Sequence, residues 1–396
     1  MNDPVFMRGN AIELLRSGTE YFPALMAAID AAKAEVRLDT YIFNDDETGR
    51  RIAETLSRAA RRGVRVHVLV DGFGSSGFME TLGADMRRDG VEVLVYRPEI
   101  ARFRLKRQRL RRLHRKLVCV DGCIAFVGGI NIIDDVGHAH RHRLDFAVRI
   151  TGPLLSPIYA TMVKLWNTVR WASFGQRYHA APPKIICVDG GGELSAAFIT
   201  RSNFRQRRAI EDGYLSAIQR AQHQITIANA YFLPGRRFRR ALIDATQRGV
   251  VVTLLLEGRS EHWLQYYATQ ALYGQLLGAG ITIHEYRQGL LHAKVAVIDD
   301  DWATVGSSNL DPFSLMLARE ANVVVRNASF AAQLRHEIEQ AIASGGTQIT
   351  YWMRLYLPRR IFAWTCYGIV RALIGLIGFN ETGVDSRSSG SGPSQP

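Results

Sequence analysis

Cysteine is scarce in this chain. The four residues Cys119, Cys123, Cys187 and Cys366 lack the paired spacing of a zinc site and are too few for a disulfide framework, so buried reduced thiols are expected. Acidic charge is in deficit as well, 37 Asp and Glu against 50 Lys and Arg. The resulting net charge of +13 favours anionic partners: nucleic acid, anionic lipid or a phosphorylated substrate. The N-terminus, MNDPVFMRGNAIELL, lacks the basic region and apolar run of a secretory signal. Long apolar runs are missing everywhere but at the other end. There IFAWTCYGIVRALIGLIGF (361–379) is interrupted only by Arg371 and follows Arg359 and Arg360. That is near the lower length for a spanning helix, and an interfacial or re-entrant helix, or one packed on the core, fits equally. The last residues, SRSSGSGPSQP, are too polar to pack and read as a disordered tail.

What is present is a globular composition, 47% hydrophobic, in 396 residues, enough for two domains with separate cores. The chain repeats itself at an offset of about 190 residues. YFPALMAAIDAAKAEVRLDTYIF (21–43) has the layout of GYLSAIQRAQHQITIANAYFL (213–233), a helix and then a β-rich run reaching Tyr41 or Tyr231. RRGVRVHVLVDG (61–72) matches QRGVVVTLLLEG (247–258), a helix stopped at Arg-Gly and followed by a buried strand. GVEVLVYRP (90–98) pairs with GITIHEYRQ (280–288). Alternating helix and strand predicts an α/β sandwich in each half, helices covering a largely parallel sheet. The boundaries expected are a first domain over 1–180, a linker over 181–192 in APPKIICVDGGG, and a second domain over 193–345. A membrane-associated helical segment over 346–380 and the tail over 381–396 complete the chain.

The chemistry recurs at the same place in both copies. HRKLVCVDGCIAFVGGIN (114–131) and HAKVAVIDDDWATVGSSN (292–309) share the pattern H-x-K-x4-D-x6-G-[GS]-x-N. Coincidence at every fixed position, twice and in register with a duplication, is not accidental. On a strand, residues i and i+2 share a face, so His114 projects with Lys116 and His292 with Lys294. Apolar residues lead to Asp121 and Asp299, where a turn sends the chain back. The small residues at 128–129 and 306–307, with Asn131 and Asn309, return beside the histidines. Each half so contributes an imidazole, an ammonium and an amide.

Phosphodiester displacement needs a nucleophile on one side of phosphorus and a proton donor on the other. Two histidines supply both when one is neutral and one protonated. The lysines and asparagines stabilise the equatorial oxygens. A metal is not required, no other cofactor is implied, and a duplicated chain needs no second copy to complete the site. Asp145 and Glu320, which open strands 31 and 28 residues after His114 and His292 respectively, are expected to orient those rings; pairing with Arg143 or Arg319 is the alternative.

The paired motifs resemble the phospholipase D superfamily, and the chain is most similar to bacterial cardiolipin synthases over roughly residues 8 to 345. The supporting stretches are the two motifs, IANAYFLPGRRFRRAL (227–242) and EANVVV (320–325). The resemblance implies two phospholipase D-like α/β/α sandwich domains with the active site at their interface. It assigns His114, Lys116, Asp121, His292, Lys294 and Asp299 as catalytic, with His114 attacking and His292 protonating the leaving group. It implies transphosphatidylation, one phosphatidylglycerol donating its phosphatidyl group through a phosphohistidine to a second and releasing glycerol. A peripheral or tail-anchored place on the bacterial inner membrane follows. The first motif departs in having Gly129 where the second has Ser307, so a hydroxyl contact to phosphate is available from one side only.

Other readings stay open on the residues alone. A hydrolase or nuclease of the same superfamily would suit the positive charge, and transfer and hydrolysis differ only in how the site excludes water. A membrane-binding protein with a dead site is disfavoured because all six HKD residues are present. The basic run RFRLKRQRLRRLHRK (102–116) is a solvated loop or, given its interleaved leucines, an amphipathic approach for lipid headgroups. It has few aromatics for stacking bases, so a nucleic-acid partner is not expected. His138, His140 and His142 alternate as metal ligands can, without an accompanying acid or thiol pattern.

Overall fold

The computed structural model describes residues 4–98, 111–137, 141–174, 191–201, 208–259, 263–311, 318–350 and 357–379. The first half contains β1 (Met7–Arg16), α1 (Ser17–Asp30), β2 (Glu35–Thr40), α2 (Glu47–Arg61), β3 (Arg65–Asp71), α3 (Leu82–Arg88) and β4 (Glu92–Tyr96). It continues through β5 (Arg112–Leu113), β6 (Lys116–Val120), β7 (Ile124–Gly128), β8 (Val136–Gly137), β9 (Arg141–Leu144), β10 (Phe146–Thr151) and α4 (Leu155–Phe174). The second half runs β11 (Leu194–Arg201), α5 (Ala209–Arg220), β12 (Gln224–Asn229), α6 (Arg236–Gln247), β13 (Val251–Glu257), α7 (Trp263–Gln270) and α8 (Tyr273–Gly278). Then come β14 (Thr282–Tyr286), β15 (Leu290–Leu291), β16 (Lys294–Ile298), β17 (Trp302–Gly306), β18 (Ala318–Arg326), α9 (Ala328–Gly345), β19 (Gly346–Gln348) and α10 (Leu357–Phe379).

The repeat becomes symmetry in the sheet. From one edge the order is β4-β3-β2-β6-β7-β10-β1, and then, mirrored, β11-β18-β17-β16-β12-β13-β14 with β19 beyond. β1 and β11 meet antiparallel at the centre, so one continuous sheet crosses both halves. The expectation of a largely parallel sheet needs correction: along this strand order β2-β3-β4 and β12-β13-β14 run parallel, and the other described neighbours run antiparallel. The motif strands return as antiparallel hairpins, β6 with β7 and β16 with β17. A short turn can connect antiparallel strands, whereas a parallel pair needs a helical crossover, and the Asp-containing turns supply the former.

Local chemistry accounts for the helix ends that matter. Asp46 caps α2 by accepting the Gly49 N–H at 2.9 Å, and Asn327 caps α9 by accepting that of Phe330 at 2.9 Å. The Arg-Gly stops work as expected: Gly63 and Gly249 sit at φ of 87° and 89°, left-handed positions that glycine takes without steric cost. Leu25, Ile29, Ile52 and Leu56 of α1 and α2 cover Val36, Leu38, Val66 and Val68 of the first half. Leu215, Ile218 and Leu242 cover Ile225, Ile227 and Leu254 in the second. On the opposite face, Val148 and Ile158 share a cluster with Val323, Phe330 and Leu334, so this core is continuous across the seam.

Cys119 and Cys366 are buried free thiols, but Cys123 is disulfide-bonded, which corrects the expectation of four reduced cysteines. Residues 102–110 of the basic run, 181–190 of the linker, His138, His140 and the tail over 381–396 lie outside the described residues.

Candidate active site

The strands carrying the histidines change partners at the decisive point. β6 and β16 lie within their own halves, but the two-residue strands just before them cross over. β5 pairs with β18 of the second half, Leu113 opposite Arg319, and β15 pairs with β9 of the first half, Leu291 opposite Leu144. The His114 N–H then donates to Arg319 O at 3.1 Å, and the His292 N–H to Leu144 O at 2.9 Å. Each histidine therefore sits next to the acid that follows its borrowed partner.

That crossing decides the carboxylate pairing. His114 Nδ1 lies 3.0 Å from Glu320 Oε1, and His292 Nδ1 lies 2.6 Å from Asp145 Oδ2. Each acid stands against the ring of the opposite half rather than the one preceding it in sequence. With Nδ1 engaged in both rings, Nε2 is left for chemistry. The imidazoles are 16% and 21% exposed, enough to meet a ligand, while Glu320 is fully buried and Asp145 nearly so.

Lys116 and Lys294 lie beside them as the i, i+2 spacing predicts. Lys116 Nζ donates to His114 O at 2.7 Å, and Lys294 Nζ donates to His292 O and lies 3.6 Å from Asp145 Oδ2. Burial, reinforced by repulsion from Lys294, lowers Lys116 to about 7. Burial also lowers Lys294 to about 8, against the pull of Asp145 and Glu320. His292 is driven down to about 3 by burial and then by the Lys294 charge, with Asp145 opposing, which favours the neutral ring near neutral pH. Burial pushes Asp145 upward, but Lys294 and His292 outweigh it and keep the carboxyl below its ordinary value.

The Gly129/Ser307 difference follows from the acids. A Cβ on Gly129 would fall 2.3 and 2.5 Å from the carboxylate oxygens of Asp145, so only glycine fits. In the other half Ser307 donates its hydroxyl to Glu320 Oε2 at 2.5 Å. Ser307 is fully buried and braces that carboxylate, a different place from the phosphate contact expected of it. Asn131 accepts the Ile42 N–H at 3.2 Å and lines a crevice with Arg143, Asp145 and His292; Asn309 is buried at the equivalent return of the second half.

Asp121 and Asp299 are not brought to the histidines. Each is five residues along from its lysine, about 16 Å at strand rise. Asp121 accepts the backbone N–H groups of Lys33, Ala34 and Glu35, all at 2.8 Å. Asp299 does the same for Gln222, His223 and Gln224 at 2.8 to 3.1 Å. Each acid ties a motif hairpin to the start of β2 or β12, at φ of 53° and 47°, a left-handed position that aspartate tolerates better than most residues. The shared spacing of the motif therefore contains a positional constraint as well as chemistry.

Three further residues, beyond those expected from the motifs, pack around the histidines. Asp71 accepts the Leu113 N–H at 2.7 Å and Glu257 accepts the Leu291 N–H at 2.5 Å, fixing the residue before each histidine. Their signal was present, since VLVDG and LLLEG put an acid at the same place in both copies. Tyr41 packs its ring 4.9 Å from that of His114 and 5.7 Å from Lys116 Nζ. Among the described residues no group of three or more His, Cys, Asp or Glu could hold a metal.

Known proteins resemble this chain in sequence and in fold. A family profile described as "Cardiolipin synthase, PLD-like domain" matches residues 25–166 and 214–342, one segment in each half. Cardiolipin synthase B of Salmonella typhi is 37% identical over 357 residues, spanning 89% of this chain and 84% of that protein. The major cardiolipin synthase of Bacillus subtilis is 30% identical over 337 residues, spanning 84% of this chain and 69% of that one. In fold, the chain is similar to phosphatidylserine synthase of Haemophilus influenzae, with a TM-score of 0.64 at 14% identity over 92% of this chain and 94% of the other. The chain belongs to the cardiolipin synthase family of the phospholipase D superfamily.

Proposed function

We propose that this enzyme makes cardiolipin by transferring the phosphatidyl group of one phosphatidylglycerol to the terminal hydroxyl of another. The observation that carries the reading is the pair of imidazoles, each held at Nδ1 by a buried carboxylate from the opposite half and flanked by a buried lysine. His114 Nε2 attacks phosphorus, the bond from phosphorus to the glycerol oxygen breaks, and His292 gives that oxygen its proton. His292 then takes the proton of the incoming hydroxyl, whose oxygen displaces His114 from phosphorus. Burial is the larger cause of the low proton affinity of His292, and an anionic phosphodiester between the lysines offsets the smaller part that comes from the Lys294 and Lys116 charges, which raises that affinity in the direction an acid needs. Lys116, Lys294, Asn131 and Asn309 stabilise the non-bridging oxygens.

The C-terminal helix supports a peripheral place on an anionic membrane. α10 packs its small residues Ala363 and Cys366, with Val370, into the core of the second half. Its bulky residues face outward: Phe362, Trp364, Ile369 and Leu373 are exposed, and Phe362 stacks on exposed Trp263 of α7 at 6.3 Å. The helix carries Arg359, Arg360 and Arg371 and has no acidic residue. Among the described residues no helix is long and apolar enough to cross a membrane. An aromatic and basic face of this kind suits burial at the headgroup level.

The decisive experiment expresses wild type and His114→Ala in cells lacking cardiolipin and profiles their lipids. Cardiolipin is expected from wild type alone. Membrane-associated wild type that makes none overturns the reading, and cleavage of single-stranded DNA by wild type but not by the variant would replace it with a nuclease.

A further inference from the structure

The two halves differ beneath their histidines. The residue between His292 and Lys294 is Ala293, and the β12 position equivalent to Asp39 is Ala228, both of them buried. In the first half the same two places hold Arg115 and Asp39, and these are buried as well. Asp39 Oδ2 accepts Arg115 Nε at 3.0 Å and Nη2 at 2.6 Å, and Nη2 also donates to Thr161 O of α4 at 3.2 Å. Side chains alternate along an extended chain, so Arg115 points away from the face that carries His114 and Lys116.

Stability does not explain this pair. Burial raises the Asp39 carboxyl and lowers the Arg115 guanidinium, each against the pull of the other. Apolar residues of similar volume often serve a fold as well as a buried ion pair does. The second half builds the same place from two alanines. What the pair supplies is visible in the sheet. β2 and β6 pair from Val36 opposite Val120 to Asp39 opposite Leu117, and stop there. β12 and β16 run one pair further, Asn229 opposite Lys294, and the Ala230 N–H then donates to Ala293 O at 2.9 Å. Among the described residues the first half has no counterpart of that last bond. Its equivalent residue, Tyr41, accepts the Ser75 hydroxyl at its carbonyl at 3.0 Å and packs its ring on His114. The ladder therefore ends one residue short of Lys116, and Arg115 reaches across the gap to the last paired residue of β2. On its other side His114 is tied to the second half through Arg319 O.

We propose that Arg115 and Asp39 are positioning residues for His114, a side-chain brace standing where the other half has backbone ladder. The inference rests on the reading above, in which His114 bonds to phosphorus. Attack must come in line, and the second displacement needs the ring in the same place, so an imidazole that drifts loses rate. The brace acts through the backbone beside His114, since neither of its side chains shares the face that meets substrate.

The test replaces the pair with apolar residues of similar volume, Asp39→Leu with Arg115→Met, and measures cardiolipin formation and thermal melting. The double variant should melt within a few degrees of wild type. Its kcat should fall about tenfold or more while KM for phosphatidylglycerol stays within about twofold, because Lys116 and Lys294 still hold phosphate. Arg115→Lys keeps the charge without the fork and should cost about threefold in kcat. Tyr159→Phe removes a buried hydrogen bond of 2.8 Å to Glu35 on the same strand without touching Arg115, and should leave kcat unchanged. A stable double variant within about twofold of the wild-type kcat overturns the proposal, and so does a Tyr159→Phe enzyme slowed as much as the double variant. If the double variant does not fold, Arg115→Lys at the wild-type rate overturns it. All are also assayed on bis(p-nitrophenyl) phosphate, a diester whose cleavage needs His114 but no lipid acceptor. Wild type that cleaves this diester and makes no cardiolipin overturns the transfer reading alone, and the brace is then judged by the same kcat ratios on the diester.

Discussion

Replacing Gly129 with alanine should disable the enzyme without unfolding it, although the change adds one methyl group at a position where the second motif carries serine. The new Cβ would stand 2.3 Å from Asp145 Oδ1 and 2.5 Å from Oδ2, where ordinary contacts begin at 3.4 Å. The carboxylate must retreat by about 1 Å, and it is held by the Phe146 N–H at 2.8 Å and His292 Nδ1 at 2.6 Å. Either the hydrogen bond to His292 breaks or the ring moves with it, and misplacement by 1 Å costs a reacting group about 100-fold. Gly129→Ala should therefore lower kcat by about 100-fold, with a melting temperature within a few degrees of wild type. Ser307→Ala, which removes only the hydroxyl bracing Glu320, should cost no more than about tenfold. The assay is cardiolipin formation from phosphatidylglycerol in mixed micelles, with thermal denaturation of the same preparations. A folded Gly129→Ala enzyme within threefold of wild type, or one less impaired than Ser307→Ala, would refute the account of this asymmetry.

Asp121→Ala should act on stability, removing the acceptor of three N–H groups and costing about 2–3 kcal/mol by urea titration. Activity per folded molecule should be retained; a folded variant with no turnover would return Asp121 to the chemistry. Lys116 and Lys294, at about 7 and 8 in the folded state against an ordinary 10.5, leave the unfolded chain holding more protons between those values. Their contribution to stability should therefore rise with pH across that window, with a slope reduced in Lys294→Gln, as urea midpoints at neutral and alkaline pH would show. Over the same rise kcat/KM should fall as the lysines lose the protons that hold phosphate; an activity flat to pH 9 would count against them as phosphate ligands. Phe362→Glu with Trp364→Glu should weaken binding to anionic vesicles by about tenfold or more, each ring contributing up to about 1.5–3 kcal/mol when fully buried. Turnover of dihexanoyl phosphatidylglycerol should be unchanged, and wild-type vesicle binding by the double variant would remove α10 from the membrane contact.

Much of this protein was determined by the sequence alone, because its strongest features are local or repeated. The duplication, the helix stops at Gly63 and Gly249, and the sharing of one face by His114 and Lys116 follow from backbone preferences and strand periodicity. The equivalence of the two motifs needs no structure, since identical spacing folds to identical hairpins. What only the tertiary structure decided concerns partners distant in sequence. Nothing local tells His114 to pair with Glu320, 206 residues away, in preference to Asp145; the crossing of β5 and β15 between halves does that. Nor could spacing separate the motif's aspartates from its chemistry, because a residue fixed by three distant N–H groups is as constrained in position as one that touches substrate. Gly129 shows both sides. The sequence showed that it differed from Ser307, and the reason lay in a carboxylate 16 residues on, brought back against it by the return of β10 alongside β7.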